Sequence, residues 1–322
     1  MTVMRVGLLR RVRVTEGSTA VVLLTALFVL IAAVTVPRFA TTSNIQALLL
    51  SVSLTGIAAV GLSLITLVGR IFSLSISSTV ALSTIVFAEC LPYGAWLALA
   101  AAVGFGTFVG WIQGIIVGRF QTDPIITTIA FSAILIGAGE LATGGLTISR
   151  GGDAGIFSAN LFGIFPFQVF AFVAVSIGIA VWHRFSVPGR RMALVGLNEK
   201  AALVSGVRAW PSVVLSFTVA GATTGLAGGL LSSQSGQGNL ILGGTFGFDA
   251  VTAVVVGGIA VKGGRGSPIS AAVGALFVGL LGNVLVLVGL TYEVQLVVKG
   301  ALVLSAVVLT GVASRVRGGR SR

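Results

Sequence analysis

The sequence predicts an all-α polytopic membrane protein of about ten transmembrane segments, some of them discontinuous helices, with both termini on the cytoplasmic side. Three observations predict it. Hydrophobic residues make up 56% of the chain against 9% charged, with a mean hydropathy of +1.09, so most of the 322 residues cannot face water. Roughly ten apolar stretches approach the ~20 residues that cross a ~30 Å hydrocarbon core. The basic residues separate by side when those stretches are threaded in alternation.

The stretches fall near 20–36, 45–68, 71–88, 94–117, 125–143, 164–182, 212–232, 249–262, 268–289 and 294–313. The first follows a basic start, as a secretory signal would, but no A-x-A-like site ends the run, so it is expected to remain as an anchor. The second is unbroken. The third opens on Gly69-Arg70-Ile71-Phe72-Ser73-Leu74-Ser75-Ile76-Ser77-Ser78-Thr79, which places one charge and five hydroxyls where a simple span would be apolar. The fourth carries Gly106, Gly110, Gly114 and Gly118, and the seventh carries Gly221, Gly225 and Gly229. Residues four apart share a helical face, and in lipid such glycine stripes let two backbones approach closely. The fifth and sixth are apolar runs, the sixth ending at His183 and Arg184. The eighth is short and lies within residues 243–266, which hold eight glycines. Unwound backbone at membrane depth is tolerated where it is buried in protein or lines a watery cavity. Broken segments in both halves of a transporter point to its substrate route. The hydroxyls at 73–79 therefore have two readings, satisfying helix-end carbonyls or lining a route. The ninth and tenth stretches complete the set, and only short connections remain, so residues 1–322 read as a single transmembrane domain with no soluble part left over.

With the N-terminus inside, Arg5, Arg10, Arg11, Arg13, Arg70, Arg119, Arg184, Arg190, Arg191, Lys200, Arg208, Lys262, Arg265, Arg315, Arg317, Arg320 and Arg322 fall on the cytoplasmic side. Arg38 and Arg150 fall outside and Lys299 lies within the last span. The net charge of +12 thus reports orientation, and nucleic acid is not implied as a partner.

The longest charged loop, about 190–209, contains Gly196-Leu-Asn198-Glu199-Lys200-Ala201-Ala202-Leu203-Val204-Ser205-Gly206. Its middle reads as a short helix: Asn198 can cap it, Glu199 suits the positive N-terminal end, and Gly206 can close it in a left-handed conformation. Leu203 and Val207 would share a face open to a partner's groove. A solvated loop lying on the membrane surface is the plainer reading.

Most chemistry is excluded by composition. A nucleotide-hydrolysing loop needs G-x-x-x-x-G-K-[ST], and no Gly-Lys pair occurs. One His and one Cys cannot make the usual metal sets, and the eight carboxylates are scattered, so neither metal nor cofactor is expected. His183 is read as an interfacial anchor, and Cys90 has no partner for an intrachain disulfide. Glu140, Asp249 and Lys299 lie at or near hydrocarbon depth, where a charge costs at least ~2.5 kcal/mol and seeks a partner. Asp249 and Lys299 fall at comparable depth and read first as a structural ion pair, with direct solute contact by Asp249 as the alternative; Glu140 can reach the headgroups.

The second half, from Gly196 to about Leu309, resembles the ribose-type permeases, the membrane subunits of bacterial ATP-binding-cassette importers for monosaccharides. The resemblance rests on the 196–206 stretch, on Asp249-Ala250-x-x-Ala253-Val-Val-x-Gly257-Gly258 followed by Gly263-Gly264-x-Gly266, on Gly274-Ala275-Leu with Gly279-x-x-x-Asn283, and on Gln295-x-x-Val298-Lys299-Gly300. The first half departs from the pattern. Where the family has Gly-Ile-Asp-Leu-Ser-Val-Gly, this chain reads Ile71-Phe72-Ser73-Leu74-Ser75-Ile76-Ser77, and where it has Pro-x-Phe-Ile-Val-Thr-Leu-Gly, this chain reads Pro124-Ile125-Ile126-Thr127-Thr128-Ile129-Ala130.

The resemblance implies a subunit in the bacterial inner membrane that moves a monosaccharide or polyol by alternating access and has no ATPase site of its own. Its partners would be cytoplasmic ATPase subunits, an extracytoplasmic solute-binding protein and a second permease subunit, identical or not. Gly196, Asn198, Glu199, Ala201, Ala202, Ser205 and Gly206 would couple it to the ATPase; Ser73, Ser75, Phe248, Asp249 and Asn283 would line the solute pathway or its gate. The rivals are an ion-driven secondary transporter of a small polar solute, a membrane enzyme acting on lipid-linked substrates, and a passive anchor of a complex.

Overall fold

A computed structural model describes residues 15–70, 72–154, 157, 159–161, 163 and 165–319. The basic residues expected inside at 5–13, 320 and 322, together with Ile71, lie outside the described residues. Twelve α-helices are present among them: α1 Thr15–Thr35, α2 Thr42–Leu67, α3 Ile76–Cys90, α4 Ala95–Arg119, α5 Pro124–Thr143, α6 Phe167–Phe185, α7 Val187–Leu197, α8 Glu199–Val204, α9 Ala209–Ser235, α10 Phe246–Val256, α11 Pro268–Leu287 and α12 Tyr292–Gly319. A 3-10 turn, Leu91–Tyr93, extends α3. The strand content of the described residues is one antiparallel pair of two-residue strands, β1 Asn160–Leu161 and β2 Phe165–Pro166. Among the described residues, seven helices are long and apolar enough to cross a membrane: α2, α3 with its turn, α4, α5, α6, α9 and α11. The chain is therefore an all-α polytopic membrane protein. The other three expected stretches fall on α1, α10 and α12.

The starts are written locally. Asp123 Oδ1 accepts from the Ile125 and Ile126 N–H groups at 2.8 and 3.1 Å beside Pro124, and Ser267 Oγ accepts from the Ile269 N–H beside Pro268. Each cap satisfies donors that the first helical turn leaves open. α2 is apolar all round and forms the centre, with every residue from Val52 to Leu67 buried; α6, α9, α10 and α11 pack on it.

The two glycine stripes meet. α4 and α9 run antiparallel, with Gly106 on Gly221 and Gly225, Gly110 on Phe217 and Gly221, and Gly118 on Trp210. A methyl group on Gly106 would strike the Gly221 carbonyl oxygen, and one on Gly221 would strike that of Gly106. Without side chains on this face, the backbones close to direct contact, which is how helices gain packing energy where water exclusion supplies none.

Both irregular segments differ from continuous spans. α3 starts at Ile76, leaving 72–75 outside the helix. The helix expected over 249–262 is α10, which ends at Val256; its 11 residues rise about 16 Å, half of the hydrocarbon thickness. Before it, residues 238–245 run non-helically alongside α3, with Gly238 against Thr84 and Gly243 against Ser77 and Ala81. The 190–209 loop also holds more order than expected, α7 preceding α8 with a cap at Ser186, whose Oγ accepts from the Gly189 N–H at 3.0 Å.

Candidate functional site

α8 is built by its caps. Asn198 Oδ1 accepts from the Ala201 N–H at 3.1 Å, and Gly206 follows with φ +78°. Glu199 lies at the N-terminal end, 3.3 Å from Arg70 beyond the end of α2. Asn198, Glu199, Ala201, Ser205 and Gly206 are exposed, as are Leu203 and, at 91%, Val204. The other two expected members of the group face inward: Ala202 is 5% exposed within the core and Gly196 is wedged against Leu67 and Gly264. Val207 also packs on the core, so the open apolar face is Leu203 with Val204, not Leu203 with Val207. A six-residue helix presents too little periodicity for its faces to be read from spacing alone.

Behind α8 the backbone of three segments interlocks. The Gly264 N–H donates to the Leu67 carbonyl at 2.9 Å. A methyl at Gly196 would collide with the Leu67 oxygen and the Gly264 nitrogen. Gly264, at φ +71°, leaves no room for a side chain beside Leu197. The end of α2, the α7–α8 corner and the loop after α10 are thereby one contact.

The two helix breaks also touch. Ser77 Oγ accepts from the Gly247 N–H at 3.0 Å, joining the start of α3 to the start of α10. Ser73 and Ser75 are 3% and 2% exposed and point into the bundle, with their Oγ atoms 3.0 Å apart. Ser75 Oγ donates to Gln113 Oε1 on α4 at 2.9 Å, and the Leu74 N–H donates to Thr128 Oγ1 on α5 at 3.1 Å. The stretches 71–77 and 124–130, which depart from the ribose-type pattern, therefore meet at this hydrogen bond. Gln113 and Thr128 were not singled out by the sequence. A signal for Gln113 existed, since it stands three residues after Gly110 and next to Gly114 on the buried stripe.

Lys299 Nζ lies 2.8 Å from Asp249 Oδ1, with each side chain 13% exposed, tying α12 to α10. The lysine stem passes over Gly282 of α11, where a methyl would stand 3.7 Å from its Cε. Phe248 is 39% exposed and so is open at the surface of this chain beside the pair. Asn283 lies apart from the breaks. Its amide exchanges two hydrogen bonds with Asn44, at 2.7 and 3.0 Å, and Asn44 also donates to the Phe39 carbonyl. The structure thus gives Asn283 a partner on α2, 239 residues away, that local sequence could not reveal. Among the described residues no group of three or more His, Cys, Asp or Glu side chains could hold a metal ion.

The chain is 33% identical over 290 residues to the ribose import permease protein RbsC of Bacillus subtilis (strain 168), covering 88% of this chain and 90% of that protein. It is 31% identical over 298 residues to RbsC of Escherichia coli (strain K12), covering 89% and 92%, and 28% identical over 281 residues to the L-arabinose transport system permease protein AraH of the same organism, covering 86% and 85%. No solved structure matches the chain. The family model for the permease component of branched-chain amino acid transport systems matches residues 44–307, and the chain belongs to that family.

Proposed function

We propose that the chain is the permease subunit of an ATP-binding-cassette importer for a monosaccharide or related polyol, forming the solute pathway by alternating access. The observation that carries the coupling is the interlock of Gly196, Leu67 and Gly264, which joins an exposed helix, α8, to the loop that follows the broken segment α10. The relatives named for ribose and arabinose support the solute class. On this reading the chain makes ten crossings, α1, α10 with its flanking loops, and α12 completing the seven long helices, and both termini face the cytoplasm of a bacterial inner membrane. Residues 1–322 act as one domain beside a second permease subunit, a solute-binding protein outside and two ATPase subunits inside.

Asn198, Glu199, Ala201, Ser205 and Gly206, with Leu203 and Val204, form the surface offered to the ATPase. Gly196 and Ala202 seat that surface on the bundle. Closure of the ATPase dimer on ATP moves α8, and the interlock carries the movement to α10, where Phe248 and Asp249 stand at the gate. Ser73 and Ser75 fix the break before α3, and Asn283 holds α11 to α2.

Purification in mild detergent followed by reconstitution tests the proposal. A cassette ATPase and a binding protein should co-purify, and uptake of a monosaccharide should require ATP. Uptake driven by an ion gradient with no ATP would overturn it in favour of a secondary transporter.

A further inference from the structure

Between α2, the start of α3, α4 and α9 lies a small cavity of about 20 Å³, whose polar lining is Ser73, Ser75, Thr79, Gln113 and Thr224. All five are buried, none more than 3% exposed. Every hydroxyl proton among them is already committed. Ser75 Oγ donates to Gln113 Oε1 at 2.9 Å, which leaves Ser73 Oγ as the donor in the 3.0 Å Ser73–Ser75 contact. Thr79 Oγ1 donates to the Ser75 carbonyl and Thr224 Oγ1 to the Ala220 carbonyl. What remains is a set of oxygens that can only accept and one nitrogen that can only donate. That nitrogen, Gln113 Nε2, finds no acceptor within the protein. Turning the amide over would leave its oxygen unpartnered instead, so one end of Gln113 always needs a further partner, an acceptor in one orientation and a donor in the other.

We infer that this cavity is a binding site for one water molecule. Water meets the chemistry: it accepts from Gln113 Nε2 and donates its two protons to two of the Ser73, Thr79 and Thr224 oxygens. The volume exceeds the ~10–15 Å³ that one water requires and is far too small for a sugar. A metal cation is not suited to it, since no carboxylate lines the cavity and the free amide group presents N–H.

The water has a place in the mechanics of the break. Residues 72–75 lie outside any helix, and their ties to the bundle include the Leu74–Thr128 and Ser75–Gln113 bonds. A bound water adds a tether that can be exchanged for another without moving a side chain, so the break can shift while its polar groups stay satisfied. The inference does not depend on the solute or on the partners.

Gln113 is one of seven glutamines, so selective ¹⁵N-glutamine labelling of the full chain in lipid bilayers gives a readable spectrum. Magnetisation transfer from water to the side-chain amides is then measured by solid-state NMR. The Gln113 signal is assigned by its loss in Gln113→Met, or in Gln113→Asn if the first variant does not fold, and exposed Gln121 gives the reference for full transfer. We expect clear transfer to Gln113 Nε2, reduced at least twofold in the combined Thr79→Val and Thr224→Val variant, which keeps the shape and leaves one of the three acceptors. Absence of transfer to Gln113 while Gln121 shows it would overturn the inference. Loss of transfer on adding excess ribose or arabinose would also overturn it, because the site would then belong to the solute route.

Discussion

The 2.8 Å contact between Lys299 and Asp249 invites a double-mutant cycle. Two unit charges 2.8 Å apart attract by about 6 kcal/mol at an effective dielectric of about 20. With both side chains 13% exposed, each ion has also given up most of its hydration, a penalty of several kcal/mol that largely offsets the attraction. The net value of the pair is therefore small, and the cost of breaking it is large. Asp249→Asn or Lys299→Met alone should each cost ~3–5 kcal/mol, because one charge is left buried without its partner. The combined variant should cost much less than either, giving a coupling energy of several kcal/mol. Thermal midpoints and folded yield in detergent measure the stability, and solute uptake in vesicles measures the function. Additive losses would show that the residues do not interact and would refute the reasoning. Recovered yield with uptake still lost would assign the pair to the architecture and at least one member to the pathway as well.

Gly221→Ala should lower the thermal midpoint by the equivalent of ~1–3 kcal/mol, because its methyl would meet the Gly106 carbonyl; Gly178→Ala, where no atom lies within 4 Å, should not lower it. Val204→Asp should keep the wild-type midpoint and lose ATP-driven uptake, whereas Ala202→Trp should fail to fold, since Ala202 is 5% exposed; wild-type uptake by Val204→Asp would remove α8 from the coupling path. In a Cys90→Ser background, an impermeant thiol reagent on intact cells should label Ser235→Cys and spare Arg208→Cys, and the reverse pattern would invert the topology.

The helices were legible where one residue or one period decides them. Asp123-Pro124 and Ser267-Pro268 mark starts within a single turn, and glycine every fourth residue announces the α4–α9 contact. Features set by distant residues were not. α10 ends at Val256 although the sequence stays largely apolar to Val261; the turn there, with Gly258 at φ +81°, is held by bonds such as that from the Ala260 N–H to the Arg265 carbonyl. α7 is hidden from an apolar pattern because Arg190 and Arg191 interrupt it, although Ser186 and Pro188 carry a start signal. Asn283 and Asn44 meet across 239 residues, beyond any local rule. The Asp249–Lys299 approach was anticipated from depth alone, because two opposite charges in hydrocarbon have few other ways to be satisfied.

The position of the interlock explains why its members are glycines. A contact made through side chains can absorb a small displacement by changing rotamer, whereas Gly196, Gly263 and Gly264 press backbone on backbone and have no rotamer to change. Gly263 lies so close to Gly69 that a methyl there would overlap its Cα, so the end of α2 is held by the same loop. Any shift of α8 relative to α2 must then move residues 263–264 or break the Gly264–Leu67 hydrogen bond. Beyond them, α10 is anchored through Asp249 to α12 and through the Gly247 N–H to Ser77. On the proposed coupling path, a short helix held at one end by an ion pair and a hydroxyl, and at the other by a rigid loop, would respond to α8 by tilting as a unit. Eleven residues suit that motion, because a full-length span packed on α2 along its whole face would have to slide past every neighbour at once.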